Sequence, residues 1–322
     1  MSVLIFAELD NGAIKKTALE ALYYGAQVAR QLGTTATALA IGTADESTLA
    51  EAGQYGVTKV LHAADARLAE VNALAYASVL AAAAEAEGST VLILAKSALA
   101  DTIAARAAGK LRAGLAANVV ALPETGEGFV VKRSIYTGKA FAQTSLTSDI
   151  KILVIKKSAV TPEETTQTAT VEPFSPALPE GDFVAKVTNV EKATGEVALS
   201  DADVIVSGGL GMKGPDNWHL LEDLAHALHA ATGCSKPVSD SDWRPHHEHI
   251  GQTGIKVSPN LYIACGISGA IQHLAGVNGS RVIVVINKDP EAPFFKAADY
   301  GIVGDVFEVL PKLTVAARAE LN

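Results

Sequence analysis

Residues 2–42 read SVLIFAELDNGAIKKTALEALYYGAQVARQLGTTATALAIG. An apolar run of strand length, SVLIFAEL, opens the stretch. A helical segment follows, KKTALEALYYGAQVARQLG, with apolar residues three and four apart and Gly33 at its end. A second apolar run, ATALAIG, closes it. Strand, helix and strand in about forty residues make a βαβ unit, whose strands run parallel through a right-handed crossover. The alternation continues with the short helix ESTLAEAGQYG, the strand TKVLHAA, the helix NALAYASVLAAAAEAEG, the strand TVLILAKS and the helix LADTIAARAAGKLRAG. From Leu115 to Lys157 strands come in quick succession: NVVALPE, GFVVKRSIY, KAFAQTSL and DIKILVIKK. These are expected to form an antiparallel addition to the edge of a parallel sheet.

Residues 158–182, SAVTPEETTQTATVEPFSPALPEGD, hold proline and threonine with little apolar periodicity. This segment is expected to be a linker or an extended excursion. A strand-like segment, FVAKVTNVEKA, comes after it. From Asp203 the βα alternation resumes with DVIVSGGLG, a helix over NWHLLEDLAHALHAATG, then LYIACGI, AIQHLAGV, RVIVVIN and a closing helix after Asp305. The expected fold is α/β, with two Rossmann-like doubly wound domains and mainly parallel sheets. The first, residues 1–190, carries the antiparallel strands; the second is residues 191–322.

Bulk properties narrow the function classes. The chain has 322 residues, 49% of them hydrophobic and only 5% aromatic, which suits an aliphatic core of helices packed on parallel strands. A net charge of −9 without any run of Lys and Arg argues against nucleic acid as a partner. Two cysteines far apart, Cys234 and Cys265, with no CxxC, make neither a disulfide framework nor a zinc ribbon. The start MSVLIFAELDNG lacks the basic region and cleavage site of a signal peptide. LAYASVLAAAAEAEG, the most apolar long segment, is too short and too interrupted by glutamate to span a bilayer. A cytoplasmic location without membrane insertion is expected.

Three glycine-rich segments follow or face strand ends: VSGGLGMKG (Val206–Gly214), HIGQTG (His249–Gly254) and CGISGAIQH (Cys265–His273). In doubly wound sheets, ligands bind at such carboxyl ends. Glycine lets the backbone approach a ligand, and amides at a helix start favour an anion such as pyrophosphate. No GxxxxGK[ST] or GxSxG is present, and VSGGLGMKG departs from GxGxxG spacing. Each glycine also has an ordinary structural reading in a tight turn.

LYIACGISGAIQHLAG followed by VVINKDPEAPFFKAADYGIVGDVFEVLP closely resembles the C-terminal motif of the alpha subunit of electron-transfer flavoproteins. The resemblance is densest from about Val204 to Pro311 and looser over the remaining length. It implies a heterodimer with a beta subunit, the N-terminal domain packing on that partner and the C-terminal domain holding one FAD. It further implies an electron carrier, not an enzyme with its own small-molecule substrate. Flavin dehydrogenases would be the donors, and a membrane quinone oxidoreductase or another acceptor the sink. The family's structural AMP belongs to the beta subunit, so no AMP site is expected here.

The resemblance also assigns residues. His273 matches the group at the pyrimidine edge of the flavin, where reduction adds negative charge and a donor or cation stabilises it. Ser268, Gly269, Ala270, Ile271 and Gln272 match the stretch around the cofactor. Thr253 matches a hydroxyl near the flavin N5/O4 edge, with Ile250, Gly251 and Gln252 as the wall beside it. Ser235 and Lys236 match a pair that is usually Ser-Arg, so lysine here keeps the charge but loses the planar, multi-donor geometry. Leu210 stands where arginine is common; Lys213 is near enough in sequence to replace it. Asn287, Asp305 and Val306 match contacts to the adenosine end, although Asp305 reads equally as the N-cap of the last helix. His246 to His249, HHEH, does not have metal-ligand spacing, and no metal is expected. Open alternatives are a nicotinamide-dependent enzyme, a nucleotide-binding module without redox function, and a bifurcating family member with a second flavin in the partner subunit.

Overall fold

The computed structural model describes residues 2–185, 187, 188, 199 and 202–321. The strand-like segment expected over 183–193 falls largely outside these residues. The chain divides into two compact units, Met1–Val190 and Glu191–Asn322.

The first unit is built on a nine-stranded sheet. Its central strand is β1 (Ser2–Phe6), and a small hairpin of β2 (Leu9–Asp10) and β3 (Ala13–Ile14) leads into helix α1 (Lys16–Gln31). Then come β4 (Thr35–Ile41), the short α2 (Glu46–Ala50), β5 (Lys59–Ala63), α3 (Ala73–Ala86), β6 (Val91–Ala95) and α4 (Ala98–Leu111). The sheet is completed by β7 (Gly114–Val119), β8 (Val130–Ile135), β9 (Ala140–Ser145), β10 (Lys151–Ile155) and β11 (Thr170–Pro173). Their order across the sheet is β11-β5-β4-β1-β6-β10-β7-β8-β9.

The central strands are apolar on both sides because helices cover both faces. Ile5, Ile93 and Leu153 point to one side, packing with Leu22 and Tyr24 of α1. Leu4, Leu92 and Val154 point to the other, packing with Leu80 of α3 and Ile103 of α4. Each such fully buried aliphatic side chain contributes roughly 1.5–3 kcal/mol. Helices α3 and α4 start where Asn72 and Ser97 accept backbone N–H groups with their side chains, the ordinary N-cap chemistry.

Two features differ from expectation. Only β8 and β9 are antiparallel; β10 pairs parallel with both β6 and β7, so DIKILVIKK is an interior strand. The Thr- and Pro-rich segment adds β11 parallel to β5 at the far edge of this sheet. It is held there by Thr165 N–H to the Gln54 carbonyl and by the buried Glu20 carboxylate, which accepts from Ser158 and Val160 N–H.

The second unit has a five-stranded, wholly parallel sheet. Its elements are β12 (Val204–Gly208), α5 (His219–Ala227), β13 (Ala231–Cys234), α6 (Lys236–Asp240), β14 (Leu261–Cys265), α7 (Ile271–Val277), β15 (Val282–Asn287), β16 (Tyr300–Val303) and α8 (Val306–Leu321). The helix expected over NWHLLEDLAHALHAATG is shorter, because ATGC forms β13, whose Ala231, Gly233 and Cys234 tuck in beside β12. Sheet order is β13-β12-β14-β15-β16. Within the unit this is second-first-third-fourth-fifth, a doubly wound order in which the winding reverses between β12 and β14. One face packs Tyr262, Ala264 and Val285 with Ile250, Val277 and Phe294. The other packs Val206, Ile263 and Ile286 with Trp218, Leu221 and Leu310.

Candidate functional site

The reversal of winding leaves a crevice outside the carboxyl ends of β12 and β14, the place where doubly wound folds bind ligands. A cavity of about 680 Å³ lies there, within the roughly 300–1,000 Å³ usual for small-molecule sites. Each of its walls is a loop leaving a strand. Leu210 and Gly211 follow β12, Ser235 and Lys236 follow β13, Gly266 to Ser268 follow β14, and Asn287 and Asp289 come at and after β15.

The walls stay close because glycines from two loops meet. Gly209 N–H bonds the Cys265 carbonyl at 2.9 Å, and Gly211 N–H bonds the Gly266 carbonyl at 3.0 Å. A Cβ on Gly209 or Gly211 would collide with the Gly266 backbone. These glycines therefore serve the packing of loop on loop, in addition to any approach to a ligand. Residues 249–257 are zipped to α7 by Gln252 N–H to the Gln272 carbonyl and Val257 N–H to the Gly276 carbonyl, both 2.8 Å.

Of the residues assigned from sequence, Ser235, Lys236, Ile250, Gly251, Gln252, Thr253, Ser268, Ala270, Gln272, His273 and Asn287 line the cavity. The other four do not. Gly269 turns at φ 84° between two lining residues and lies against the Phe294 backbone. Ile271 points to solvent, 62% exposed. Asp305 caps α8, accepting the Phe307 N–H at 3.1 Å, and Val306 is buried beside Leu310. Lys213 is likewise engaged elsewhere, 3.6 Å from Asp305 and over the ring of Phe307, so it does not fill the place of an arginine at Leu210.

Two lining residues were not read from sequence. Asp240 lies one turn beyond Lys236 on α6, and its carboxylate meets the ammonium at 2.9 Å. His249 is buried, with its Nδ1 unpartnered. Burial, with His246 and Lys236 nearby, lowers its basicity. The spacing Lys-x-x-x-Asp was the available sign for Asp240. His249 stood in HIGQTG but was absorbed into the HHEH reading. Among the described residues no three His, Cys, Asp or Glu side chains converge to hold a metal ion; Glu248 is instead paired with Arg244.

His273 is 6% exposed, and burial pushes its imidazole down to about 4. Its Nε2 lies 2.8 Å from the Tyr262 hydroxyl, while its Nδ1 makes no hydrogen bond of good geometry. The Ile250 backbone lies near enough to offset part of the shift.

Comparison with known proteins decides what the crevice belongs to. Residues 3–179 match the electron transfer flavoprotein domain, and residues 198–278 match the electron transfer flavoprotein FAD-binding domain. The chain is 38% identical over 315 residues to the electron transfer flavoprotein subunit alpha of Bacillus subtilis (strain 168), covering 97% of this chain and 96% of that relative. The chain belongs to the electron transfer flavoprotein alpha-subunit family. The corresponding alpha subunit of Syntrophomonas wolfei is 36% identical over 310 residues, with 96% of each chain covered. That of Mycobacterium leprae (strain TN) is 36% identical over 321 residues, with 98% of each covered.

In this alpha-subunit fold the second unit is the FAD-binding domain. The crevice suits that cofactor. Leu210, Ile250, Ile267, Ala292 and Pro293 offer apolar surface for a flat ring, while hydroxyls of Ser235, Thr253 and Ser268 and the Gln272 amide offer polar partners. The unpartnered Nδ1 atoms of His249 and His273 are buried capacity that a polar ligand would satisfy. No helix among the described residues is long and apolar enough to cross a membrane.

Proposed function

We propose that this chain is the FAD-carrying alpha subunit of a heterodimeric, cytoplasmic electron carrier. Its partner is a beta subunit. It takes single electrons from flavin dehydrogenases and passes them to a membrane quinone oxidoreductase or another acceptor, with no small-molecule substrate of its own. The observation that carries this reading is the crevice at the strand-order reversal, where eleven residues matched to the family's flavin contacts come together from five loops and helices.

Bound FAD supplies reversible uptake of electrons at its ring. The chain's residues provide the setting. Ile250 and Ile267 exclude water from one end of the crevice. Thr253, Ser268 and Gln272 hold and orient polar edges, and Asn287 faces the adenosine end. Asn287 is kept in place by donating to the Ile267 carbonyl at 3.1 Å and accepting Asp289 N–H at 3.0 Å. His273 and the Lys236 ammonium favour added negative charge, and the Asp240 carboxylate tempers the latter.

Purification of the chain with its beta subunit, followed by mixing with a reduced flavin acyl dehydrogenase and then a quinone oxidoreductase, tests the reading. Rapid bleaching of a bound flavin by the donor and its recovery with the acceptor support it. A colourless heterodimer, or one that neither partner reduces or reoxidises, contradicts it.

A further inference from the structure

Tyr262 lies at the second position of β14, fully buried, with its ring against Phe294 and His273 at centroid distances of 6.3 and 6.2 Å. Phe294 meets the His273 ring edge-on at 5.8 Å. The imidazole is thus clamped between two aromatic rings, with little rotational freedom. Its one close polar contact within this clamp is the 2.8 Å hydrogen bond between Nε2 and the Tyr262 hydroxyl.

Either atom could donate in such a bond, and the surroundings choose. Burial holds the phenol well above its ordinary value, so Tyr262 keeps its proton. His273 is uncharged near neutrality and has one N–H to place. The backbone of Ile250 faces its other side, and the Ile250 N–H is already spent on the Cys234 carbonyl at 2.9 Å. What remains there is a carbonyl, which only accepts. A proton on Nδ1 satisfies this arrangement. A proton on Nε2 would set a bare Nδ1 lone pair against that carbonyl and oblige the phenol to find another acceptor.

We propose that Tyr262 is a positioning residue: by donating its phenolic hydrogen to Nε2, it fixes His273 in the tautomer that carries its proton on Nδ1 and presents that N–H as a hydrogen-bond donor in the crevice. The consequence for a bound flavin rests on the function proposed above, while the tautomer itself does not. His273 then offers the cofactor a neutral, directional donor and not an imidazolium, and Tyr262 supplies the second layer that holds it. A layer of this kind beneath a working imidazole sets both its ring orientation and its proton placement.

The test is long-range proton–nitrogen NMR of the imidazoles in the ¹⁵N-labelled full-length chain, with His273 assigned by the signals lost in His273→Gln. The structure predicts that at pH 7.5 His273 Nδ1 has the shift of a protonated nitrogen and Nε2 that of an unprotonated one. In Tyr262→Phe, that pattern should give way to a mixture of tautomers, and the Kd for FAD should rise on the order of fivefold, the worth of one hydrogen bond. A purely structural role for Tyr262 would lower the melting temperature and leave the tautomer unchanged. Protonated Nε2 in the unsubstituted chain overturns the proposal, whether or not Tyr262→Phe folds. Failure of the unsubstituted chain to bind FAD, with Nδ1 protonated, would count against the proposed function and uphold the tautomer.

Discussion

Lys236 and Asp240 stand one turn apart on α6, and their side chains meet at 2.9 Å on the wall of the FAD crevice. Both are more than half exposed, so the pair contributes little to stability. Its effect is on the field in the crevice, where the carboxylate cancels part of the charge that the ammonium offers a reduced ring. Lys236→Met is expected to lower the first reduction potential of bound FAD by on the order of 60 mV, one decade for a one-electron couple. Asp240→Asn is expected to raise it. Spectroelectrochemical titration of both variants checks the two signs together, and equal potentials in all three proteins would remove Lys236 from the account.

Gly211 and Gly266 hold two walls of the crevice backbone to backbone. Gly211→Ala is expected to cost about 1–3 kcal/mol, the usual effect of overpacking, and to weaken FAD binding as the loops part. Urea unfolding and flavin titration of the same preparation measure both.

His273 provides a pH signature. Its folded-state value, about 4, lies below the ordinary 6.5. A base depressed in this way contributes stability that is complete above pH 6.5 and is lost as pH falls through the range down to about 4. The shift is equivalent to roughly 3 kcal/mol at most. Unfolding free energy of the FAD-free chain between pH 7 and pH 4 should therefore fall less steeply in His273→Gln than in the unsubstituted chain. Parallel curves would mean that the histidine is not held neutral by burial.

Asp305 accepts the Phe307 N–H and does not line the crevice. Asp305→Ala is expected to cost about 1 kcal/mol through the lost N-cap of α8 and to leave FAD affinity nearly unchanged. Differential scanning calorimetry beside a flavin titration separates the two effects. A large loss of affinity at unchanged stability would restore the ribose contact expected from sequence.

The α/β character and the two halves were legible because β1, β4, β6 and β14 are continuous apolar runs set between helical periodicities. β10 was misplaced among the antiparallel strands although KILVI carries the same continuous pattern, buried at four of its five positions. AFAQTS of β9 alternates between exposed and half-buried residues, as an antiparallel strand near an edge does. Proximity in the chain outweighed that contrast. β13 was hidden because ATGC is short and small, and its place beside β12 is a tertiary fact.

The crevice was legible wherever a motif marked it. Asp240 and His249 were not, since what brings them to the wall is the path of the loops after β13, which no local pattern encodes. Asp305 shows the converse. Its position after a strand and before a helix fits a ligand contact and an N-cap equally, and the Phe307 N–H identifies the cap.

The most direct measurement is stepwise anaerobic reduction of the chain purified with its beta subunit, followed by visible absorption and EPR. The account predicts a yellow protein that passes through a red, EPR-active one-electron stage before full bleaching, with that stage diminished in Lys236→Met and in His273→Gln. A protein that lacks flavin, or bleaches in one two-electron step without a radical signal, would contradict it.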